Sequence, residues 1–119
     1  MARFMIVDDS KVSRKIVREL LEGLGHIVAL EAASGEEAIE KYDTSLIDCV
    51  LLDVEMGGMS GIEATKILKD KYSGIKIIIV SSVSESNRLK EAVLSGADMV
   101  VQKPVNSDSL KRGIDKVLG

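Results

Sequence analysis

Tryptophan is absent from this chain, and two tyrosines and one phenylalanine are its only aromatics, 3 % of 119 residues. So few aromatic rings leave no platform on which bases could stack, and a single-stranded nucleic-acid binder is not expected. There is one cysteine. It cannot close an internal disulfide, and its isolation points to a reducing, cytosolic setting. Cys49 lies inside an apolar run and reads as a buried, inert thiol. No stretch of about 18 apolar residues occurs and no signal-peptide pattern opens the chain, so membrane insertion is not expected. Charge of neither sign dominates: 16 Lys+Arg stand against 19 Asp+Glu, a formal net charge of -3. That balance gives no basis for binding nucleic acid or an anionic membrane. A single proline, Pro104, is present, and linkers, repeats and low-complexity tracts are missing.

What remains is 45 % apolar and 29 % charged residues, enough for one packed core and one domain over 1–119. Apolar runs alternate with helix-like segments from end to end. Strands are predicted at Phe4–Val7, Ile27–Ala32, Cys49–Leu52, Ile77–Val80 and Met99–Gln102. The first helix, Lys11–Leu24, carries Val12, Ile16, Leu20 and Leu24 at spacings of four, with Val17 and Leu21 widening the stripe. Gly25 reads as its left-handed stop. Ser34 and Glu37 form a capping box for a helix ending near Tyr42. Val54–Ser60 reads as a loop. Helices follow over Gly61–Tyr72, with Ile62, Ile67 and Leu68 inward, and over Glu85–Leu94, which Gly96 ends. Asn106 or Ser107 caps a last helix with Leu110, Ile114, Val117 and Leu118 on its inner side.

Strands alternating with helices imply a doubly wound parallel sheet covered on both faces, an α/β fold of flavodoxin-like type. Runs one, three and four are continuously apolar, as interior strands should be. Runs two and five contain Glu31 and Gln102 and look like edges. That suits the strand order 2-1-3-4-5, with its switch point between strands one and three. Asp8 and Asp9 follow the first strand, and Asp53 the third. Ser81 follows the fourth, and Lys103 the fifth. The fold therefore gathers three acids and one base at a single edge, and crowded acids call for a cation to bridge them. A hard divalent ion suits these oxygens. One carboxylate can still act as a nucleophile towards phosphorus, with the Lys103 ammonium, the Ser81 hydroxyl and the Ser82 N–H facing the transferring group. A lone Asp at a strand end is more often a turn or helix cap; the joint placement is what argues for a site.

Ile6-Val7-Asp8-Asp9-Ser10, Leu51-Leu52-Asp53-Val54-Glu55-Met56, Ser60-Gly61-Ile62-Glu63-Ala64, Val80-Ser81-Ser82, and Gly96-Ala97-Asp98 leading to Lys103-Pro104 together resemble the receiver domains of two-component response regulators, of the single-domain CheY-like type. The resemblance spans essentially the whole chain. It implies that Asp53 accepts a phosphoryl group from the phosphohistidine of a histidine kinase or phosphotransfer protein. It implies that Asp8, Asp9, Asp53 and the Glu55 backbone carbonyl hold Mg2+, for which Mn2+ can substitute. Ser81 stands at the family's switch position, Lys103 contacts the phosphoryl group, and Pro104 follows a cis peptide bond. Phosphorylation then switches the face of the fourth helix, fifth strand and fifth helix for a protein partner. Such a chain is a signalling receiver rather than an enzyme. It is expected as a monomer, with a dimer on phosphorylation left open.

Three departures stand out. Val100 replaces the usual Phe or Tyr three residues before the lysine. Met56-Gly57-Gly58 replaces the usual Met-Pro-Gly, loosening that loop. Glu55 and Val83 occupy positions that tune phosphoryl lifetime in the family. Elsewhere, His26 reads as a solvated turn residue, and Met56 and Met59 as loop anchors or core filling. Arg14, Lys15 and Arg18 read as a solvated helix face near the acids that can help dock a kinase helix. A stand-alone receiver fits the length, and Met1 favours a natural start; a receiver cut from a longer regulator is the close variant. An aspartate-nucleophile phosphatase is a rival on the strength of Asp53-Val54-Glu55, but it would carry its nucleophile on the first strand. A flavodoxin-type phosphate-cofactor binder lacks the glycine-rich loop it would need.

Overall fold

The computed structural model describes residues 1–82 and 86–119, with every side chain in those ranges except positions 86–89. Among these residues the elements are β1 (Arg3–Val7), α1 (Lys11–Gly23), β2 (Ile27–Ala32), α2 (Gly35–Lys41), β3 (Cys49–Asp53), α3 (Gly61–Lys71), β4 (Ile77–Ser81), α4 (Ser86–Leu94), β5 (Met99–Gln102) and α5 (Ser107–Leu118). The strands form one sheet in the order β2-β1-β3-β4-β5, and every neighbouring pair is parallel. The sequence-based fold and strand order are therefore both observed. Val83, and the Glu85 start expected for the fourth helix, lie outside the described residues.

Strand side chains alternate between faces, and here each face has its own core. Met5, Val7, Val50, Leu52, Ile77 and Ile79 pack with Ala38, Ile62, Leu68 and Ala92 under α2, α3 and α4. Phe4, Ile6, Leu51, Ile78 and Val80 pack with Leu21, Leu110 and Ile114 under α1 and α5. Each fully buried Leu, Ile or Phe contributes about 1.5–3 kcal/mol. Cys49 is fully buried in the second core, and burial pushes its thiol up to about 12, which keeps it inert.

Several local expectations need correction. Val12 and Ile16 of α1 are 70 % and 53 % exposed. Spacings of four drift around a 3.6-residue helix, so the inward face is set by Val17, Leu20, Leu21 and Leu24 instead. Leu118, four residues after Ile114, is exposed for the same reason, and Ile67, five residues after Ile62, faces away from it. Ser34 does cap α2, accepting from the Glu37 amide, but the Glu37 carboxylate accepts from Ala33 rather than from Ser34. The reciprocal box occurs at α5 instead, between Asn106 and Ser109. His26 is half-buried rather than solvated. Its Nδ1 accepts from the Ala2 amide at 3.0 Å, and its ring meets the edge of Phe4 at 5.3 Å.

Gly61 opens α3 hard against the end of β3. A Cβ there would lie 2.1 Å from the Asp53 carbonyl oxygen, while the Gly61 N–H donates to Val54 O at 3.0 Å. Only glycine permits this approach without moving the backbone that carries Asp53. Gly61→Ala should therefore destabilise the fold by about 1–3 kcal/mol, the usual penalty of overpacking, measured by chemical denaturation. Gly23→Ala is the control, because a Cβ there meets nothing within 4 Å; equal effects of the two would contradict the steric account. Partial burial holds the His26 pKa below its ordinary value, aided by the N-terminal ammonium and opposed by Asp115. The unfolded chain then binds the proton more readily. The share of stability due to neutral His26 is full above about pH 6.5 and falls away as pH drops below it. Ring-proton NMR should place its midpoint below 6.5, and a midpoint at or above that value would refute the half-buried acceptor.

Candidate functional site

The carboxyl ends of the parallel strands meet at one edge, as the fold requires. Beyond β1, Asp8 is buried and Asp9 exposed; β3 ends on buried Asp53, and β4 on buried Ser81. The backbone ladder continues past the strands, with Asp8 N donating to Ala32 O, Val54 N to Val80 O, and Lys103 N to Ser81 O at 2.8 Å. These bonds fix the height of each functional residue at the edge. Asp8, Asp9 and Asp53 each place a carboxylate oxygen within 4.8 Å of the others. The Lys103–Pro104 peptide is cis, and the Lys103 ammonium lies 2.9 Å from Asp53 Oδ1.

That contact is an ion pair. Asp53 Oδ1 is buried, and among the described residues no donor meets it in good hydrogen-bond geometry. Burial drives the Asp53 carboxyl pKa upward. Lys103 and the Glu55 amide oppose this without cancelling it, and the charge of Asp8 adds to it. Burial also works against the Lys103 ammonium, yet Asp53, Asp8 and Glu55 together raise its pKa above the ordinary value. The lysine is thus strongly held as a cation, while Asp53 remains under-compensated as an anion. One ammonium is not enough for three acids. The donor set is hard oxygen in close array, and one of its buried oxygens lacks a hydrogen-bond donor among the described residues. The cluster fits a divalent cation such as Mg2+.

Backbone amides orient the two acids after β1. Ser10 N donates to Asp8 Oδ1 at 2.9 Å, while the Ser10 hydroxyl caps α1 through Ser13 N. Gly57 N donates to Asp9 Oδ2 at 3.1 Å. Ser81 does not reach Asp53: its hydroxyl donates to Ser82 O at 3.2 Å. The Ser82 hydroxyl donates to the exposed Glu55 carboxylate at 3.1 Å, joining the loops after β3 and β4. Met56 and Met59 pack against the core under α3, as anchors. Val100 is half-buried against that same core.

The basic cluster on α1 is not simply solvated. Arg14 Nε and Arg18 Nη2 reach the Glu31 carboxylate at 2.9 and 2.6 Å. Arg14 Nη1 also donates to the Asp8 backbone carbonyl at 2.6 Å. The two arginines lower the Glu31 pKa, Arg18 most, against partial burial. Only Lys15 of the three is fully exposed. The signal for this clamp was the lone acid Glu31 in a strand opposite two arginines one helical turn apart. A groove of about 440 Å³ opens between α1 and the β5–α5 loop, with Ile16, Val17, Leu51, Val105, Asp53 and Lys103 in its lining.

Residues 4–115 match the response regulator receiver domain. The chain is 39 % identical over 114 residues to the chemotaxis protein CheY of Halobacterium salinarum, covering 96 % of this chain and 94 % of that protein. CheY of Bacillus subtilis is 33 % identical over 116 residues, covering 98 % and 97 %. The transcriptional regulatory protein YvrH of Bacillus subtilis is 37 % identical over 105 residues, which are 44 % of its length, so similar units also occur inside longer chains. Among solved structures, the CheX–CheY–BeF3–Mg complex from Borrelia burgdorferi matches with a TM-score of 0.92 at 27 % identity, covering 99 % of this chain and 90 % of that one. These matches favour neither the phosphatase nor the cofactor-binder reading. Sheet order, acidic edge and relatives agree, and the chain belongs to the response regulator receiver domain family as a phosphorylation-dependent signalling receiver.

Proposed function

We propose that Asp53 is the phosphoacceptor of this receiver and that residues 1–119 act as one receiver unit. The observation that carries the proposal is a buried Asp53 carboxylate with one oxygen lacking a hydrogen-bond donor among the described residues, 2.9 Å from Lys103, in a carboxylate that also places an oxygen within 4.8 Å of Asp8 and Asp9 oxygens. Asp8, Asp9, Asp53 and the Glu55 backbone carbonyl form the protein's share of the ligands to Mg2+ or Mn2+. Bound there, the ion would offset charge on the transferring phosphoryl oxygens. The magnesium in the Borrelia burgdorferi complex supports this choice.

The donor is the phosphohistidine of a histidine kinase or phosphotransfer protein. An Asp53 carboxylate oxygen attacks phosphorus, and the donor's N–P bond breaks as the O–P bond forms. Lys103 faces the incoming oxygens. Ser81 exchanges the neutral Ser82 carbonyl for a charged acceptor, a gain because hydrogen bonds to ionised groups are stronger. The Ser82 backbone N–H supplies a further donor. Since Lys103 N is bonded to Ser81 O, the ends of β4 and β5 shift together. That shift moves the α4–β5–α5 face between two arrangements, with a coupling of about 1–3 kcal/mol between phosphorylation and partner binding. With valine at position 100 the readout runs through these main-chain ties rather than an aromatic rotation. The downstream partner is a protein, and catalysis is confined to the receiver's own phosphorylation and dephosphorylation. The unphosphorylated protein is a monomer, and a phosphorylated dimer would use the same face.

Incubation with acetyl phosphate and Mg2+ should add one phosphoryl group, visible by intact-mass spectrometry. The adduct should vanish in Asp53→Asn; labelling that persists there would remove Asp53 from the role. Asp9→Ala should weaken Mg2+ binding by about 10-fold or more, in line with loss of a metal-site carboxylate, and should slow phosphorylation in parallel. Calorimetry reads the first effect, and unchanged affinity would count against the assigned ligands.

A further inference from the structure

We propose that the Gly57 backbone N–H is a working part of the acidic site, holding Asp9 in the orientation that receives the cation. This rests on the metal reading above. Asp9 is the one exposed member of the three acids, so neither packing nor burial restricts its rotamer. Among the described residues, the contact that restricts it is the hydrogen bond from Gly57 N to Oδ2, 3.1 Å long and spanning 48 residues of sequence. Asp8 is held in the corresponding way by Ser10 N at 2.9 Å. Each acid after β1 thus receives one backbone N–H, Asp8 from its own loop and Asp9 from the loop after β3.

An amide on one carboxylate oxygen leaves the other oxygen free to coordinate. It also fixes the direction in which that second oxygen points. Ligands oriented in this way bind metal more tightly, because less side-chain freedom is lost on binding. The donor exists because position 57 is not proline, the residue the family resemblance leads one to expect there. Proline has no N–H to give. Glycine's own flexibility is not what the contact needs. Gly57 does not have a positive φ, and a Cβ on it would meet nothing nearer than Asp9 Oδ2 at 4.0 Å. The neighbouring Gly58, at φ +77°, provides the left-handed turn. The two glycines of the loop therefore do different things: Gly58 bends the chain, and Gly57 presents an amide.

The test is Mg2+ titration by calorimetry of the unaltered chain, Gly57→Pro, Gly57→Ala, Asp9→Ala and the double variant Asp9→Ala with Gly57→Pro. Gly57→Pro should bind Mg2+ more weakly by about 3- to 10-fold, the low side of outer-shell effects because Asp9 is exposed. Gly57→Ala keeps the donor and should stay within about 2-fold of the unaltered chain, the residual scatter of outer-shell changes that preserve the bond. Adding Gly57→Pro to Asp9→Ala should change nothing further, since the acid it acts through is gone. The Gly57 amide proton should also move upfield in the NMR spectrum of Asp9→Ala without Mg2+. Gly57→Pro binding as tightly as the unaltered chain would overturn the inference and leave the metal site standing. An equal loss from Gly57→Pro in both backgrounds, or an unmoved Gly57 proton, would also overturn it, by showing that the effect does not pass through Asp9. Failure of the unaltered chain to bind Mg2+ would overturn the metal reading and this inference together.

Discussion

The site depends on one uncomfortable arrangement: a carboxylate buried between hydrophobic layers with two more carboxylates at arm's length. Asp53 ends a strand that is buried along its whole length, so it cannot swing into solvent to relieve the repulsion. Lys103 answers part of its charge from the next-but-one strand, at 2.9 Å. What Lys103 leaves over is uncompensated negative charge of the kind that suits a cation. The surrounding bonds serve to keep that tension in place. The ladder beyond the strand ends sets the heights of Asp8, Ser81 and Lys103. Gly61 lets α3 begin against the Asp53 carbonyl. Arg14 grips the carbonyl of Asp8 while clamped to Glu31.

Much of this was legible in the residues alone. The strands are short, apolar and flanked by helical stripes, and in a parallel sheet such runs admit few orders. Continuous apolarity in runs one, three and four put those strands inside. Once the order is known, residues one step past each strand must share an edge, so the acids and Lys103 could be placed together without knowing any distance. The glycine stops after α1 and α4 were legible for a simple reason. Gly25 and Gly96 have φ of +89° and +101°, a conformation other residues rarely adopt.

The rest was hidden for three physical reasons. Pattern reading assigns a residue to a face, but a long side chain can cross from one element to another. Arg14 and Arg18 look like a wetted helix surface until Glu31 is seen opposite them in space. His26 looks like a turn residue until Ala2 is found to donate to it. Four-residue spacing imitates a helical stripe over short distances, but the drift per turn carries Val12 and Ile16 to the surface. Backbone donors were the hardest to see. A hydrogen bond from a main-chain amide leaves no side-chain signature.

The bond from Gly57 to Asp9 carries that last point further. Every amino acid except proline brings an N–H to position 57, so the contact is indifferent to which side chain stands there. It is specified by an exclusion rather than by a requirement. Natural drift at this position would pass silently through most substitutions and be felt at one. The chain's only proline stands at position 104, after β5, and not in this loop. Scarcity of a single residue type, which looked at first like a bare compositional fact, is also a condition under which this loop can touch the site at all.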